Sequence, residues 1–109
     1  MIDVREYIDP LGRSPYALWF DRLNPQGAAK VATALTRLSL GNFSNVKGVG
    51  SGVYEFRVNF GAGYRIYFGK DGERMVILLG GGSKKRQGND IAAALANWQD
   101  YKRRKDLWL

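Results

Sequence analysis

The run Val53-Tyr54-Glu55-Phe56-Arg57-Val58-Asn59-Phe60, followed after Gly61-Ala62-Gly63 by Tyr64-Arg65-Ile66-Tyr67-Phe68, decides the architecture. In an extended chain successive side chains point to opposite faces, so Tyr54, Phe56, Val58 and Phe60 share one side and Glu55, Arg57 and Asn59 the other. Tyr64, Ile66 and Phe68 continue the apolar side, with Arg65 and Tyr67 opposite them. A short glycine-bearing loop between two such runs predicts an antiparallel hairpin, because glycine supplies the positive φ of a tight reversal. Pairing Phe60 with Tyr64 across that loop puts Arg57 opposite Tyr67, and Asn59 opposite Arg65, with all four on the polar face.

Outward from the hairpin, Asp71-Gly72 signals a second turn, and Arg74 to Leu79 is apolar on both faces, as a central strand is. Ile2 to Ile8 reads as a short strand. Phe43 to Gly52 is irregular and glycine-rich, a loop or a twisted lead-in strand. Ser14-Pro15 and Asn24-Pro25 each combine a side-chain acceptor with a proline that loses no bond in the first turn, so each predicts a helix start. Tyr16, Trp19, Phe20 and Leu23 follow the first; Ala28, Val31, Leu35 and Leu38 follow the second, which Gly41 ends, with Lys30, Thr33 and Arg37 on the opposite side. Asn89 predicts the cap of a last helix carrying Ile91, Leu95, Trp98 and Tyr101, with Asp106 to Leu109 a frayed tail or an apolar plug. The expected fold is α+β: two N-terminal helices, a twisted antiparallel sheet of about four strands and a C-terminal helix, in a single domain over residues 1–109.

Charge narrows the function. Seventeen Lys and Arg against ten Asp and Glu give +7, an excess that suits a polyanion, since each neutralised phosphate releases condensed counterions. The chain has no cysteine and no histidine, which removes thiol catalysis, disulfides and the commonest general base, and argues against a transition-metal site. Met1-Ile2-Asp3 does not open a signal peptide, and the longest apolar run, Met75 to Leu79, is far short of a membrane span. The expectation is a soluble cytoplasmic protein with no membrane partner, metal or cofactor.

The polar face of the hairpin gathers Arg57, Arg65, Asn59 and Tyr67, and Lys84-Lys85-Arg86 leaves the neighbouring strand at the same sheet. Arginine offers a planar fork of donors to a phosphate, and lysine a mobile point charge. Lys30 and Arg37, on the polar side of the second helix, are further candidates for contact with RNA, together with Lys84, Arg86 and Asn59. The plainer alternative is a solvated sheet face, with Arg57 paired to Glu55 or Glu73. No GxGxxG, P-loop or metal-ligand spacing is present, and Gly80-Gly81-Gly82 is too generic for a phosphate cradle.

The series Gly52-Val53-Tyr54-Glu55-Phe56-Arg57, Gly63-Tyr64-Arg65-Ile66-Tyr67-Phe68, Gly81-Gly82-Ser83-Lys84-Lys85 and Asp90-Ile91 with Ala93-Ala94 resembles, in order and spacing, the HigB-like addiction-module killer proteins of the RelE/ParE toxin superfamily. The resemblance runs from Tyr16-Trp19-Phe20 to the Trp98-Tyr101 helix. It implies a RelE-like toxin fold, a cognate antitoxin (expected to be a helix-turn-helix DNA-binding protein), and metal-independent endoribonuclease action on mRNA at the ribosome that inhibits translation. By position, Arg57 matches the basic residue on the second core strand. Arg65 matches the arginine that clamps the scissile phosphate, and Lys84 or Lys85 a basic residue that stabilises transition-state charge. Such RNases often carry a Tyr or His base on or just before the last helix, and Ile91 and its neighbours offer neither. Tyr67 is the candidate base if adjacent cations lower its phenol pKa; as an alternative it is a packing residue. Two other readings stay open: a ParE-like toxin that inhibits gyrase, and a non-catalytic RNA-binding relic.

Overall fold

The structure, a computed structural model, describes residues 1–61 and 63–107, without the side chains of residues 106 and 107. Its elements run β1 (Asp3–Glu6), α1 (Pro15–Phe20), α2 (Pro25–Ser39), β2 (Val46–Gly50), β3 (Val53–Val58), β4 (Tyr64–Lys70), β5 (Met75–Ser83), a 3-10 turn at Lys84–Arg86, and α3 (Gln87–Leu107). The α+β class and the order of elements are as expected, with one strand more: the glycine-rich lead-in forms β2. The sheet order is β1-β5-β4-β3-β2. It is mixed rather than purely antiparallel, because β1 pairs parallel to β5, from Asp3 opposite Met75 to Glu6 opposite Leu78. The helices lead from β1 into β2 at the far edge, which runs opposite to β1, and the three antiparallel reversals from β2 to β5 bring β5 back beside β1 in the parallel sense.

The helix starts follow their cap chemistry. Ser14 Oγ accepts from the Ala17 N–H at 3.0 Å, and Asn24 Oδ1 from the Gly27 N–H at 2.7 Å. Asn89, by contrast, is not a cap. The chain turns into helix already at Lys84, and α3 takes over at Gln87, so Asn89 lies inside it. α3 runs on through Leu107; of the segment read as a tail or plug, Trp108 and Leu109 lie outside the described residues.

Two cores sandwich the sheet. On one face Phe56, Val58, Ile66, Phe68, Val76 and Leu78 pack under α1 and α2 against Tyr16, Val31, Ala34 and Leu38. On the other, Val53, Tyr67, Ile77 and Leu79 pack with Tyr7 against Ala94 and Trp98 of α3. A bulge in β5 lets close-packed side chains approach it from both faces. Between the pairs Tyr67–Gly80 and Phe68–Leu78 the register of β5 slips by one residue. The slip turns Gly81 toward α1, where a Cβ would sit 2.2 Å from the Trp19 ring. Gly82 consequently faces α3, where a Cβ would meet the Asp90 carboxylate at 1.9 Å. Gly81 and Gly82 therefore serve packing, while Gly80 is open.

Candidate functional site

The central hairpin is paired two residues away from the expected register. Val58 pairs with Tyr64, Arg57 with Arg65, and Glu55 with Tyr67. The loop is longer because it reverses through two left-handed glycines, Gly61 at φ 56° and Gly63 at φ 80°. The Gly63 N–H donates to the Phe60 carbonyl, while the Gly63 carbonyl accepts from Lys84 N at the end of β5. A shift of two keeps every side chain on its face. It brings the two arginines directly opposite each other, however, and moves Asn59 out of the ladder into the loop.

The face that carries them is not a solvated sheet surface. α3 covers most of it, so Glu55 is fully buried and Arg65 only 9% exposed. Arg65 is the partner of Glu55: its Nε lies 3.4 Å from Glu55 Oε1. The other carboxylate oxygen accepts from Gln87 Nε2, in the first turn of α3, at 2.7 Å. Glu55 Oε1, Arg65 Nε and the Tyr67 hydroxyl are the buried side-chain atoms without a hydrogen bond among the described residues, and all three belong to this one cluster. Arg57, offered above as a partner for Glu55, is exposed instead.

Tyr67 is fully buried, as in the packing alternative. Burial, then the carboxylates of Glu55 and Asp90, push its phenol well above the ordinary tyrosine range, and the Arg65 cation does not offset them. The shift that would make it a base at neutral pH runs the wrong way. Asp90, which shares this end of α3, is itself held above the usual carboxylate range by burial, with Arg86 acting in the opposite direction.

Where α3 ends its cover, the sheet opens into a cleft of about 550 Å³. Arg57, Asn59, Arg65, Tyr64 and Lys84 line it, with the glycine loop forming its rim. A second cleft of about 230 Å³ adjoins it, sharing Arg57, Val58 and Asn59 as a common wall and bounded on the far side by Lys30, Thr33 and Arg37 of α2 and by Asn45. Among the described residues no carboxylate lines either cleft. Of the residues singled out in the sequence, the clefts thus bring together Arg57, Arg65, Asn59, Lys84, Lys30 and Arg37. Lys85 and Arg86 are exposed on the 3-10 turn and line neither cleft, and Tyr67 lies beneath the sheet's cover.

Residues that sequence reasoning missed are those that hold the cleft in place. Glu55 and Gln87 fix the Nε edge of Arg65, leaving Nη1 toward Gly63 at the rim. Tyr64 braces the cleft against α2, its hydroxyl packed so closely on Gly27 that a Cβ there would lie 2.9 Å away. A carboxylate in one strand and an arginine on the same face of the next is the signal the sequence holds for the first. Among the described residues no cluster of His, Cys, Asp or Glu could hold a metal ion, and no helix is long and apolar enough to cross a membrane.

Comparison with known proteins agrees with this extent of structure. An uncharacterized protein of Haemophilus influenzae is 40% identical over 77 residues, covering 70% of this chain and 78% of that protein. The family model described as Phage derived protein Gp49-like (DUF891) matches residues 18–99, which take in both clefts' strands, α2 from its start and most of α3. The chain belongs to the Gp49-like family of phage-derived proteins.

Proposed function

We propose that this protein is the toxin of a type II toxin–antitoxin pair, a RelE/HigB-like endoribonuclease that cleaves mRNA at the ribosome. The observation that carries the reading is the cleft holding Arg57, Arg65 and Lys84 with no carboxylate among its described lining residues. Two arginines directly opposite each other repel unless something anionic lies between or beneath them. Glu55 answers Arg65 from below, and a phosphate answers the pair from the cleft.

RNA brings its own nucleophile. The 2′-hydroxyl attacks the neighbouring phosphorus, the bond to the 5′-oxygen breaks, and the products are a 2′,3′-cyclic phosphate and a 5′-hydroxyl. The hydroxyl proton passes to water and the departing oxygen takes one from water. The protein's part is to orient the phosphate and stabilise charge, with Arg65 fixed by Glu55 as the clamp, and Arg57 and Lys84 on its open side. Tyr67 takes no proton in this scheme.

One observation favours a second reading. The cleft offers neither an imidazole nor a carboxylate, so a ParE-like toxin that binds gyrase without cutting nucleic acid uses the same cations. The test separates them. Expression should arrest bacterial growth, a neighbouring helix-turn-helix protein should relieve the arrest by covering this basic face, and purified toxin should leave cyclic-phosphate ends on ribosome-bound mRNA. Arg57 is exposed, so Arg57→Ala should fold normally and cleave about a hundredfold more slowly. Growth arrest with intact mRNA and inhibited gyrase would overturn the RNase in favour of the second reading; normal growth at high expression would overturn both.

A further inference from the structure

Resting on that reading, we infer that the second cleft is a separate binding subsite for single-stranded RNA, taking the backbone of the same strand beyond the phosphate held by Arg65, so that the substrate is a polymer rather than a dinucleotide. The two clefts are continuous in the residues that form them: Arg57, Val58 and Asn59 face both. Arg57 stands between them, and one strand passing from one cleft to the other must cross it.

The far wall is built to one pattern. Lys30, Thr33, Ala34 and Arg37 fall at i, i+3, i+4 and i+7 of α2, one stripe of the helix. Its two cations are separated by seven residues, about 10 Å along the axis at 1.5 Å per residue. Both are exposed, and neither has a carboxylate partner within ion-pair distance among the described residues. The opposing side supplies Asn45 and Asn59, neutral amides that donate to phosphate or sugar oxygens. The wall is also held rigidly. Arg57 N donates to the Asn45 carbonyl at 3.2 Å, and α2 is seated on Tyr64 through Gly27. A cation stripe, two amides and a fixed width fit a backbone that repeats a phosphate; a single mononucleotide leaves one cleft empty.

The test uses the whole protein and uncleavable 2′-O-methyl oligoribonucleotides of two and six nucleotides, with binding followed by fluorescence anisotropy over a range of salt. Wild type should bind the hexamer more tightly and with a steeper salt dependence than the dimer. The Lys30→Ala/Arg37→Ala variant, checked for an unchanged melting curve, should bind the dimer as wild type does. For the hexamer its slope of log affinity against log salt should fall by about 1.4, since each phosphate contact on a single strand contributes about 0.7. An unchanged hexamer slope in the variant overturns the subsite while leaving the RNA reading standing. Failure of wild type to bind either oligomer overturns the subsite, while the RNA reading stands or falls separately on cleavage of ribosome-bound mRNA. A variant that loses an acidic polyglutamate peptide but keeps the hexamer overturns the subsite in favour of a protein segment.

Discussion

On the α1 and α2 side, the sheet offers Phe56, Val58, Ile66, Phe68, Val76 and Leu78, an apolar set closed by Tyr16, Val31 and Leu38. On the α3 side the same central strands carry Glu55, Arg65 and Tyr67 among Val53, Ile77 and Leu79, and the cover stops short so that one end opens into the clefts. Both faces seat a tryptophan on a glycine, Trp19 on Gly81 and Trp98 on Gly69. The difference is therefore not in how tightly the faces pack. One face is filled with groups that need only shape. The other buries an ion pair whose partners also need hydrogen bonds, so its stability depends on matched polar groups such as Gln87 as well as on shape.

The largest effect should come from splitting that ion pair. Removing one partner leaves an uncompensated buried charge, so Glu55→Ala or Arg65→Ala should each lower stability by about 3–5 kcal/mol in urea unfolding. Arg65 thus cannot be tested as a surface residue. Replacing both, as Glu55→Leu with Arg65→Met, should recover much of the loss and still bind no RNA in the first cleft. Should Arg65→Ala unfold at the wild-type urea concentration, the contrast between the faces is broken.

Next come the glycines that make the faces alike. An alanine methyl at Gly81 would lie 2.2 Å from the Trp19 ring and at Gly69 2.5 Å from the Trp98 ring. Overpacking of this kind costs about 1–3 kcal/mol. Gly80→Ala is the control, since its position is open. Equal stability of all three variants would show that the rings move aside without cost.

The strand alternation in residues 53–68 predicted which residues share a face, and that held even though the pairing lies two residues off. Alternation is blind to what covers a face. Glu55, Arg57 and Asn59 have the composition of a solvated surface, yet Glu55 is buried and bonded by Gln87 at the start of α3, a residue distant in sequence, while Arg57 and Asn59 stay open. The cap signals at Ser14 and Asn24 were legible because their chemistry is local, whereas Asn89 misled because Ser83 already begins the helical turn. In the site, the charge type of Arg57, Arg65 and Lys84 could be read. That Lys30 and Arg37 stand across from Arg57 could not, because it depends on how α2 lies over the sheet.

Alkaline titration probes the two faces at a smaller scale. Burial first, with a hydrogen bond to Asp100, pushes the Tyr7 phenol up to about 12, and Tyr101 rises to about 12 by burial and Asp71. On the opposite face Tyr16 also rises to about 12, by burial and then Glu6 and Asp21. A folded pKa above the unfolded value of 10.0 means stability that is complete below about pH 10 and is lost as pH rises toward 12. The melting temperature should fall across that window. Tyr7→Phe should flatten the fall and cost about 1 kcal/mol at neutral pH for the lost bond to Asp100. A melting temperature flat from pH 9 to 12 would contradict the burial of these phenols.

The smallest difference lies between two adjacent lysines. Lys84 and Lys85 share a 3-10 turn, are both exposed and carry the same charge, so composition cannot tell them apart. Geometry does: Lys84 lines the first cleft, with its backbone N–H held by the Gly63 carbonyl at 3.0 Å, and Lys85 does not line it. Neither side chain packs in the core, so alanine at either place should change stability by no more than about 0.5 kcal/mol. Binding of the 2′-O-methyl hexamer should distinguish them. Lys84→Ala should reduce the salt slope by about 0.7, the share of one phosphate, while Lys85→Ala should lower affinity only through the general field and leave the slope nearly unchanged. Equal slopes for the two variants would mean that the turn acts as a diffuse patch of charge, and that the cleft's boundary at Lys84 does not select where the backbone lies. A loss confined to Lys84→Ala would place that boundary at a single side chain, one residue past the end of β5.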